Sequence, residues 1–309
     1  MPAFQTLRIG DIAHDLLIPG QNGKVLAVFS RSAYLVTGQE ELVYLTSSEA
    51  PLHPRCLQVS GAFPRLSVGS LFSVDDGRLH IKPSFTFDLH QAVLWRADQV
   101  STDNVEEIID IPAKVKAVFT SLGYTQIKGF GRLIPQVLLL AEGGPTSLQP
   151  ATADPILSLA WPAIREVAMA CLTHQQAELL HKAGSLVGLG EGLTPSGDDF
   201  LGGMLYCIHH LKIVYPFLPV PPNRVAFVEG VKQRTNLISY SLLKDHAHGQ
   251  ALEPLVLFLT AILTARRNQD VHRSISRLTS LGHSTGWDLL TGALTGLLLT
   301  FYHLENNTH

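Results

Sequence analysis

Residues 188–203 combine glycines with the side-chain types that bind ligands or move protons. The run reads Gly-Leu-Gly-Glu-Gly-Leu-Thr-Pro-Ser-Gly-Asp-Asp-Phe-Leu-Gly-Gly. Thr194 followed by Pro195 is typical of a helix start, and Ser196 with an aspartate three residues later offers a second capping register. The apolar residues from Phe200 to Val214 then predict a buried helix. Because a helix N-terminus presents free N–H groups and the positive end of a dipole, we predict that this loop binds a small anion.

Three carboxylates, those of Glu191, Asp198 and Asp199, lie within this one loop. Like charges so close raise one another's pKa unless a cation, a proton or a hydrogen-bonding ligand lies among them. We therefore predict that the loop lines the main pocket, with Asp198 or Asp199 accessible to solvent. Mg²⁺ bound by the three carboxylates is one option for neutralising them. The alternative is a tight loop before a well-capped core helix, with the glycines serving backbone geometry alone.

A second segment repeats the pattern of the first. Residues 197–203 have the form Gly-x-Asp-x-Leu-x-Gly, and residues 286–292 have the same form. The two aspartates, Asp199 and Asp288, are 288 − 199 = 89 residues apart, and hydroxyl residues precede both copies. Each aspartate falls in the first turn of a predicted helix, with a glycine four residues later on the same face. We predict that the two helices cross closely in the same direction and bring their N-termini to one site. Coincidence between two capped helices is the alternative.

Two further segments carry side chains suited to an anion or a proton. A helix is predicted from Arg224 to Leu243, and it places Arg234, Thr235 and Ser239 on one face. A guanidinium and two hydroxyls on one face would complete an anion site, whereas the alternative is a polar face turned to solvent. His283 immediately precedes the second copy of the pattern and is the candidate general acid or base.

The predicted site residues fall into two groups. The catalytic candidates are Asp199, His283 and Asp288. The ligand-binding candidates are Gly188, Gly190, Gly192, Thr194, Ser196, Gly197, Asp198, Arg234, Thr235, Ser239, Ser284 and Gly286. For residues 245–248, Asp-His-Ala-His, we favour a helix C-terminus with cationic histidines over a metal site, because no third ligand has a useful spacing.

Composition and motifs argue against several classes of protein. The 309 residues carry a net charge of −3 with 16% charged residues and no basic run, which disfavours nucleic-acid binding. Three distant cysteines without a Cys-x-x-Cys pair indicate a reducing compartment without disulfides or structural zinc.

No signal peptide is recognisable, and the longest apolar runs are shorter than the roughly 18–20 residues of a membrane span. We therefore expect a cytoplasmic protein without a membrane partner, whose high apolar content suits subunit interfaces, including those of a homo-oligomer. P-loop, Rossmann and His-Glu-x-x-His motifs are absent.

The chain changes character near residue 100. Before it, short β-branched and aromatic runs at residues 24–29, 32–37 and 41–46 alternate with turn residues, and Asp75-Asp76-Gly77 predicts a hairpin. After it, helical periodicity continues to the C-terminus, with a connector expected over residues 129–150. We predict an α+β protein with a small β-sandwich or barrel-like domain at 1–100 and an all-helical domain at 101–309. The helical domain carries the glycine-rich loop.

The glycine-rich run, together with Leu281-Gly-His-Ser-Thr-Gly-Trp-Asp288, resembles the signature of a bacterial family long labelled as of unknown function. Residues 23–29, Gly-Lys-Val-Leu-Ala-Val-Phe, are similar to that family's opening strand. The family is associated with a subunit of oxamate carbamoyltransferase, from allantoin and purine degradation. The Ser-Thr-Arg-Thr phosphate motif of the ornithine and aspartate transcarbamoylases is absent, and Gln233-Arg234-Thr235 is its faint counterpart.

The resemblance implies an enzyme subunit that takes part in carbamoyl transfer between carbamoyl phosphate and oxamate, giving oxalurate and phosphate. It also implies companion subunits and a small anionic metabolite as ligand. In this reading the loop N–H groups and Arg234 hold the anion, Asp199 and Asp288 orient it or a metal, and His283 moves a proton. The alternative is a non-catalytic subunit that binds a metabolite or serves as a scaffold while a partner does the chemistry.

Overall fold

The computed structural model describes residues 3–97, 100, 105–121, 127–145, 147, 149–150, 153–264 and 268–301. The chain forms two compact units, Met1–Asp98 and Gln99–His309. The first is built from strands and the second from helices, so the predicted α+β class is confirmed, with a barrel in place of the sandwich option.

The first unit is an eight-stranded barrel with a ninth strand attached. Its described strands are β1 (Ala3–Gly10), β2 (Asn22–Val28), β3 (Ser32–Thr37), β4 (Leu42–Ser47), β5 (Cys56–Val59), β6 (Leu71–Asp75), β7 (Arg78–Ile81), β8 (Phe85–Asp88) and β9 (Val93–Trp95). The order β5-β4-β3-β2-β6-β7-β8-β1 closes on itself because β1 also pairs with β5, and β9 adds to β1 in parallel. Closure leaves the eight strands of the ring without a free edge.

Alternating side chains of the strands fill the barrel. Along β6 and β7 every second residue is buried, which is the two-residue period of a half-buried strand. The interior residues include Val25, Leu35, Leu45, Leu79 and Phe87. An eight-stranded barrel is just wide enough for such side chains to fill it. The predicted hairpin is present, since β6 pairs antiparallel with β7 and both Asp76 and Gly77 have positive φ.

Closure depends on the N-terminal residues, whose strand was not predicted from the sequence. β1 pairs with β5, β8 and β9, which follow it by tens of residues, so no local turn signal announces it. The short helix α1 (Asp11–Leu16) follows β1, and the Ala13 N–H donates to Pro54 O at 3.0 Å. α1 lies against β4 and β5, whose residues are buried on both faces.

The second unit contains ten described α-helices. These are α2 (Ile111–Ser121), α3 (Ile134–Ala141), α4 (Pro155–Leu172), α5 (Gln176–Ala183), α6 (Ser196–Val214), α7 (Arg224–Gly230), α8 (Leu237–Ala247), α9 (Glu253–Leu263), α10 (Asn268–Thr279) and α11 (Thr285–Leu297). Short 3₁₀ turns at Ile108–Asp110, Gly129–Leu133, Gly184–Leu186, Lys232–Arg234 and Leu298–Thr300 join or extend them. Two sequence-based expectations are wrong: the connector at 129–150 contains α3, and the single helix from Arg224 to Leu243 is two helices.

Helices α6 and α11 form the centre of this unit. They run in the same direction, because Gly292 packs on Phe200 and Gly296 packs on Met204 and Cys207. A Cβ at Gly292 would overlap the carbonyl oxygen of Phe200, and a Cβ at Gly203 would overlap that of Leu289. Glycine at both positions therefore lets the two backbones touch, as the repeated pattern predicted.

Among the described residues one helix, α4, is long and apolar enough to cross a membrane by length and composition alone. Core helices of globular proteins pass the same test, and one face of α4 packs on α3, α5 and α11. Its N-terminus is capped by Asp154, which accepts from the Ile156 N–H at 3.0 Å.

Candidate functional site

The first turns of α6 and α11 meet, as expected from the repeated pattern. The hydroxyl oxygens of Thr194 and Thr285 are 3.4 Å apart. Four half-buried hydroxyl residues, Thr194, Ser196, Ser284 and Thr285, surround the buried carboxyl groups of Asp199 and Asp288. We call these six residues the helix junction.

Asp199 belongs to the first turn of α6 and points into the helix junction. The Thr194 hydroxyl donates to Asp199 Oδ2 at 3.0 Å. Burial, and then the neighbouring Asp288, raises the pKa of the Asp199 carboxyl well above its ordinary value, while the Thr194 and Thr285 hydroxyls act in the opposite direction. The net effect favours the protonated form of the carboxyl.

Asp288 occupies the equivalent place on α11 and is fully buried. Its Oδ1 accepts from the Phe130 N–H at 2.6 Å. Gly129 has φ +50°, and a Cβ at this residue would overlap Asp288 Oδ1, so the close approach requires glycine. Burial raises the pKa of Asp288 to about 6, against the opposing effects of the Phe130 N–H and the Ser196 and Ser284 hydroxyls. Because the charge of Asp288 raises the pKa of Asp199, the two carboxyls titrate together, and we call them the acid pair.

Asp288 Oδ2 differs from the other oxygens of the acid pair. It is buried and has no hydrogen-bond partner of normal geometry among the residues that the structure describes. The hydroxyls of Ser196 and Ser284 lie close enough to lower the pKa of the carboxyl, and both residues are half-buried. These two hydroxyls are therefore the donors available to the carboxyl, in a geometry outside the normal range.

Asp198 has a different role from Asp199. It accepts from the Gly188 N–H at 2.8 Å, from the Ser239 hydroxyl at 2.6 Å and from the Thr235 hydroxyl. These bonds attach both the start of the glycine-rich loop and α8 to α6. The expectation of an accessible carboxylate is wrong, since 2% of Asp198 and 6% of Asp199 is exposed. Asp198, Thr235 and Ser239 are consequently anchors for the loop, with their side-chain bonds directed at one another.

Arg234 does not share a helical face with Thr235 and Ser239. It ends the 3₁₀ turn Lys232–Arg234, Thr235 is extended, and Asn236 caps α8 by accepting from the N–H groups of residues 238 and 239. The exposed Arg234 donates to Gly184 O at 2.8 Å. Asn236 was the signal for a second helix start, because its side chain satisfies N–H groups that an unbroken helix would pair internally.

The glycines of the loop have separate reasons to be glycine. Gly188, Gly190 and Gly192 have positive φ values of 74°, 116° and 96°. A Cβ at Gly188 would overlap Arg234 O, and one at Gly190 would lie 2.8 Å from the Ser196 nitrogen. Gly197 and Gly286 are buried instead, the first against Leu186 O and the second against Leu278 O. At Gly197 and Gly286 glycine is therefore required by close backbone packing and not by a positive φ.

Neither helix start has the side-chain cap that the sequence suggested. The residue before α6 is Pro195, and no side chain accepts from the first turn. The Gly197 N–H donates to Leu189 O, and the Asp198 and Asp199 N–H groups donate to Pro195 O. Among the described residues, the Ser196 and Thr285 N–H groups have no acceptor. Two backbone donors thus remain at the helix junction.

The Mg²⁺ option at Glu191, Asp198 and Asp199 is not supported by the geometry. Glu191 is exposed, whereas Asp198 directs its oxygens at Gly188, Thr235 and Ser239. The described residues contain no group of three or more His, Cys, Asp or Glu side chains that could hold a metal ion. The three carboxylates therefore do not form a ligand set.

The histidines occupy two kinds of environment. His283 is exposed beside Ser284, and its role as an acid or base stays a prediction. His246 is buried against Gly202 of α6, and burial lowers its pKa to about 4. The expectation of a cationic histidine at this helix end is therefore wrong for His246, because its interior position disfavours the charge. His248 is exposed and contacts Lys244 O at 2.8 Å.

The barrel unit has a cavity of its own, open to solvent and about 350 Å³ in volume. Ile9, Leu17, Leu94 and the imidazoles of His14 and His90 line it. None of the predicted site residues contributes to this cavity. Gly129 and Phe130, by contrast, contact Asp288 of the helix junction and were missed, since Asp288 lies far along the chain.

Two family profiles match the sequence. Residues 5–94 match a profile described as "AllH family N-terminal domain". Residues 186–297 match one described as "Oxamate carbamoyltransferase subunit AllH", and this range contains the glycine-rich loop and both aspartates of the acid pair. No solved structure matches the chain.

Proposed function

Because the chain belongs to the AllH family of oxamate carbamoyltransferase subunits, we propose that it binds a small anionic reactant of carbamoyl transfer at the helix junction. Membership as a subunit implies companion subunits. The reactants we propose are carbamoyl phosphate and oxamate, which combine to oxalurate and phosphate in cytoplasmic allantoin catabolism. The glycine-rich loop then supplies part of a small-anion site.

One observation carries this proposal: the N-termini of α6 and α11 meet, and the Ser196 and Thr285 N–H groups there have no acceptor among the described residues. Helix N-termini favour anions through their unpaired N–H groups and their dipoles. The hydroxyls of Thr194, Ser196, Ser284 and Thr285 add further donors.

The acid pair is compatible with an anion only if it carries little charge. Burial and the neighbouring Asp288 raise the pKa of Asp199 well above its ordinary value, which disfavours two negative charges at this place. Asp198 directs its oxygens inward to three donors, so its charge is turned away from the helix junction. We propose that Asp199 and Asp288 orient the reactant and that the exposed His283 exchanges protons with it.

The second candidate is a non-catalytic, metabolite-binding or scaffolding subunit. It is favoured by the burial of Asp199 and Asp288, because a buried carboxyl suits a fixed binding site better than one that exchanges protons with solvent at each turnover. Both candidates share the anion site and differ only in which chain performs the transfer.

Calorimetric titration and thermal unfolding of the purified chain with phosphate, carbamoyl phosphate and oxamate test the anion site. A ligand at 100 times its Kd should raise the free energy of unfolding by about 2.7 kcal/mol. The double variant Ser196→Ala/Thr285→Val should weaken binding at least tenfold, since it removes two hydroxyl donors. Ser280→Ala is the matched control, because Ser280 is exposed and bonds only to Arg277 O.

A carbamoyl-transfer assay then separates the two candidates. The chain is assayed alone and together with its companion subunits, with the double variant in parallel. Transfer by the complex that falls in the double variant supports a catalytic contribution. Binding without any effect of the variant on transfer assigns catalysis to a companion. If none of the three anions binds in either setting, the helix junction is not an anion site.

A further inference from the structure

The cavity of the barrel unit connects the barrel core to the protein surface. Its buried lining residues include Ile9 and Leu17, which belong to that core, and its exposed ones include His14, His90 and Leu94. Apart from the two imidazoles, the lining side chains are apolar. The volume of about 350 Å³ suits a small molecule. The mouths of β-barrels are a common place for such sites, which are mostly apolar with a few polar groups.

The cavity lies beside an irregularity in the barrel wall. β8 and β9 both pair in parallel with β1. From the Gln5–Asp88 pair to the Arg8–Val93 pair, β1 advances 8 − 5 = 3 residues, whereas its partner advances 93 − 88 = 5. The partner therefore has two extra residues at this point, and three of the four residues between Asp88 and Val93 line the cavity. Bulges of this kind at barrel rims re-aim side chains, here that of His90.

His90 is exposed on this bulge, yet its ring is fixed. Its Nε2 donates to Asp76 O at 2.9 Å, and its backbone N–H donates to Asp88 Oδ1 at 3.0 Å. The ring also occupies the space that a Cβ at Gly77 would fill. Fixing an exposed side chain costs rotamer entropy that burial does not offset, so this ring is pre-organised at the edge of the cavity.

The hydrogen bond to Asp76 decides what His90 can offer a ligand. A carbonyl oxygen only accepts, so Nε2 carries the proton of the neutral ring and Nδ1 is left as an acceptor. Nδ1 has no hydrogen-bond partner among the described residues. His14 has the complementary arrangement, because its Nδ1 lies 3.1 Å from Asp15 Oδ1 and leaves Nε2 as the acceptor. Both neutral imidazoles thus present an acceptor, and a ligand must bring the donor.

We propose that this cavity binds a small uncharged molecule that has an apolar body and a hydroxyl group, and that the hydroxyl donates to His90 Nδ1. An anionic head would meet acceptor nitrogens, and a cationic head would lose hydration against the apolar lining. The ligand class differs from the small anion proposed for the helix junction. Neither proposal therefore depends on the other.

Benzyl alcohol and anisole test the proposal, because they are isomers of similar size and only benzyl alcohol has a hydroxyl donor. Each is titrated into the full chain, and the amide NMR resonances of residues 89–94 are followed. Benzyl alcohol should have a Kd roughly 3- to 10-fold lower than anisole, the effect of one hydrogen bond. His90→Phe keeps a ring and removes the acceptor, so the ratio should fall to about onefold. His272→Phe is the matched control, since His272 is exposed on α10 and should keep the wild-type ratio.

Ala92→Trp checks the location, because its side chain would fill the cavity and should abolish binding of both isomers. Binding that persists in folded Ala92→Trp overturns the proposal, as does equal affinity of the wild-type chain for the two isomers. Resonances that respond to neither isomer also overturn it. Two other occupants would have the same consequence. One is Zn²⁺ bound through His90 without discrimination between the isomers, and the other is a companion subunit that protects residues 89–94 from hydrogen exchange while neither isomer binds the free chain.

Discussion

Thr194 and Thr285 lie 91 positions apart in the sequence, yet their hydroxyl oxygens are 3.4 Å apart. Thr194 precedes the first turn of α6, and Thr285 begins the first turn of α11. The Thr194 hydroxyl also donates to Asp199 at 3.0 Å. This contact joins the two copies of the glycine–aspartate pattern at their N-terminal ends. Gly203 and Gly292 allow the helix backbones to touch about two turns further along.

The first prediction concerns that crossing. Gly292→Ala should lower the free energy of unfolding by more than about 3 kcal/mol, because its Cβ would overlap Phe200 O and neither backbone can yield easily. Gly230→Ala in α7 is the matched control, since nothing lies within 4 Å of its Cβ position. Alanine there should be neutral or stabilising by up to about 1 kcal/mol. Equal effects in urea denaturation would show that the close crossing does not limit stability.

The second prediction concerns the anchor of the glycine-rich loop. Asp198→Ala should destabilise the protein by about 3–5 kcal/mol, because it leaves the Gly188 N–H and the Thr235 and Ser239 hydroxyls without their acceptor. Asp154→Ala removes an ordinary helix cap and should cost about 1 kcal/mol. Denaturant unfolding of both variants provides the comparison. Similar losses in the two would mean that Asp198 is no more than a cap.

The third prediction concerns pH. Burial raises the pKa of Asp288 from 3.8 to about 6, so the unfolded state loses this proton at a lower pH than the folded state. The resulting stability is complete below about pH 4 and is lost as pH rises through 6. Asn does not ionise, so the stability of Asp288→Asn relative to wild type should increase by roughly 2 kcal/mol between pH 4 and pH 7.

Urea unfolding at several pH values measures this difference. The pH dependence of wild-type stability alone does not report on Asp288. Burial lowers the pKa of His210 and His246 to about 4, so these two residues make stability rise with pH, whereas Asp288 makes it fall. They are present in both proteins, so their contribution cancels in the difference. A difference that stays constant from pH 4 to pH 7 contradicts the burial of an ionisable Asp288.

The fourth prediction concerns His246, whose buried ring nitrogens make no hydrogen bond of normal geometry in the described structure and have only a distorted contact with the Leu242 backbone. His246→Leu should raise the free energy of unfolding at pH 7 by about 1–2 kcal/mol, because it removes a desolvated polar group at similar volume. His210→Leu should raise the free energy of unfolding by less, since it also removes the contact of His210 with Gly249 O at 3.2 Å. A loss of stability in His246→Leu would indicate a partner for the ring, such as a buried water.

The sequence by itself determined the elements whose signals are local. The Asp75-Asp76-Gly77 turn specified its hairpin, and the repeated glycine–aspartate spacing indicated that α6 and α11 cross in parallel with their N-termini together. Both follow from backbone rules that act within a few residues: positive φ in a tight turn, and a glycine four residues after the aspartate on the same helical face.

Only the tertiary structure decided toward which element each carboxyl group turns. Asp198 and Asp199 are neighbours in sequence, yet one turns toward α8 and the other toward α11. The Phe130 N–H holds Asp288 from 158 positions away, and β1 closes the barrel by pairing with β5, where Thr6 and Val59 are 59 − 6 = 53 positions apart. Side-chain direction and burial depend on which distant segments pack together, and residue spacing along one segment does not contain that information.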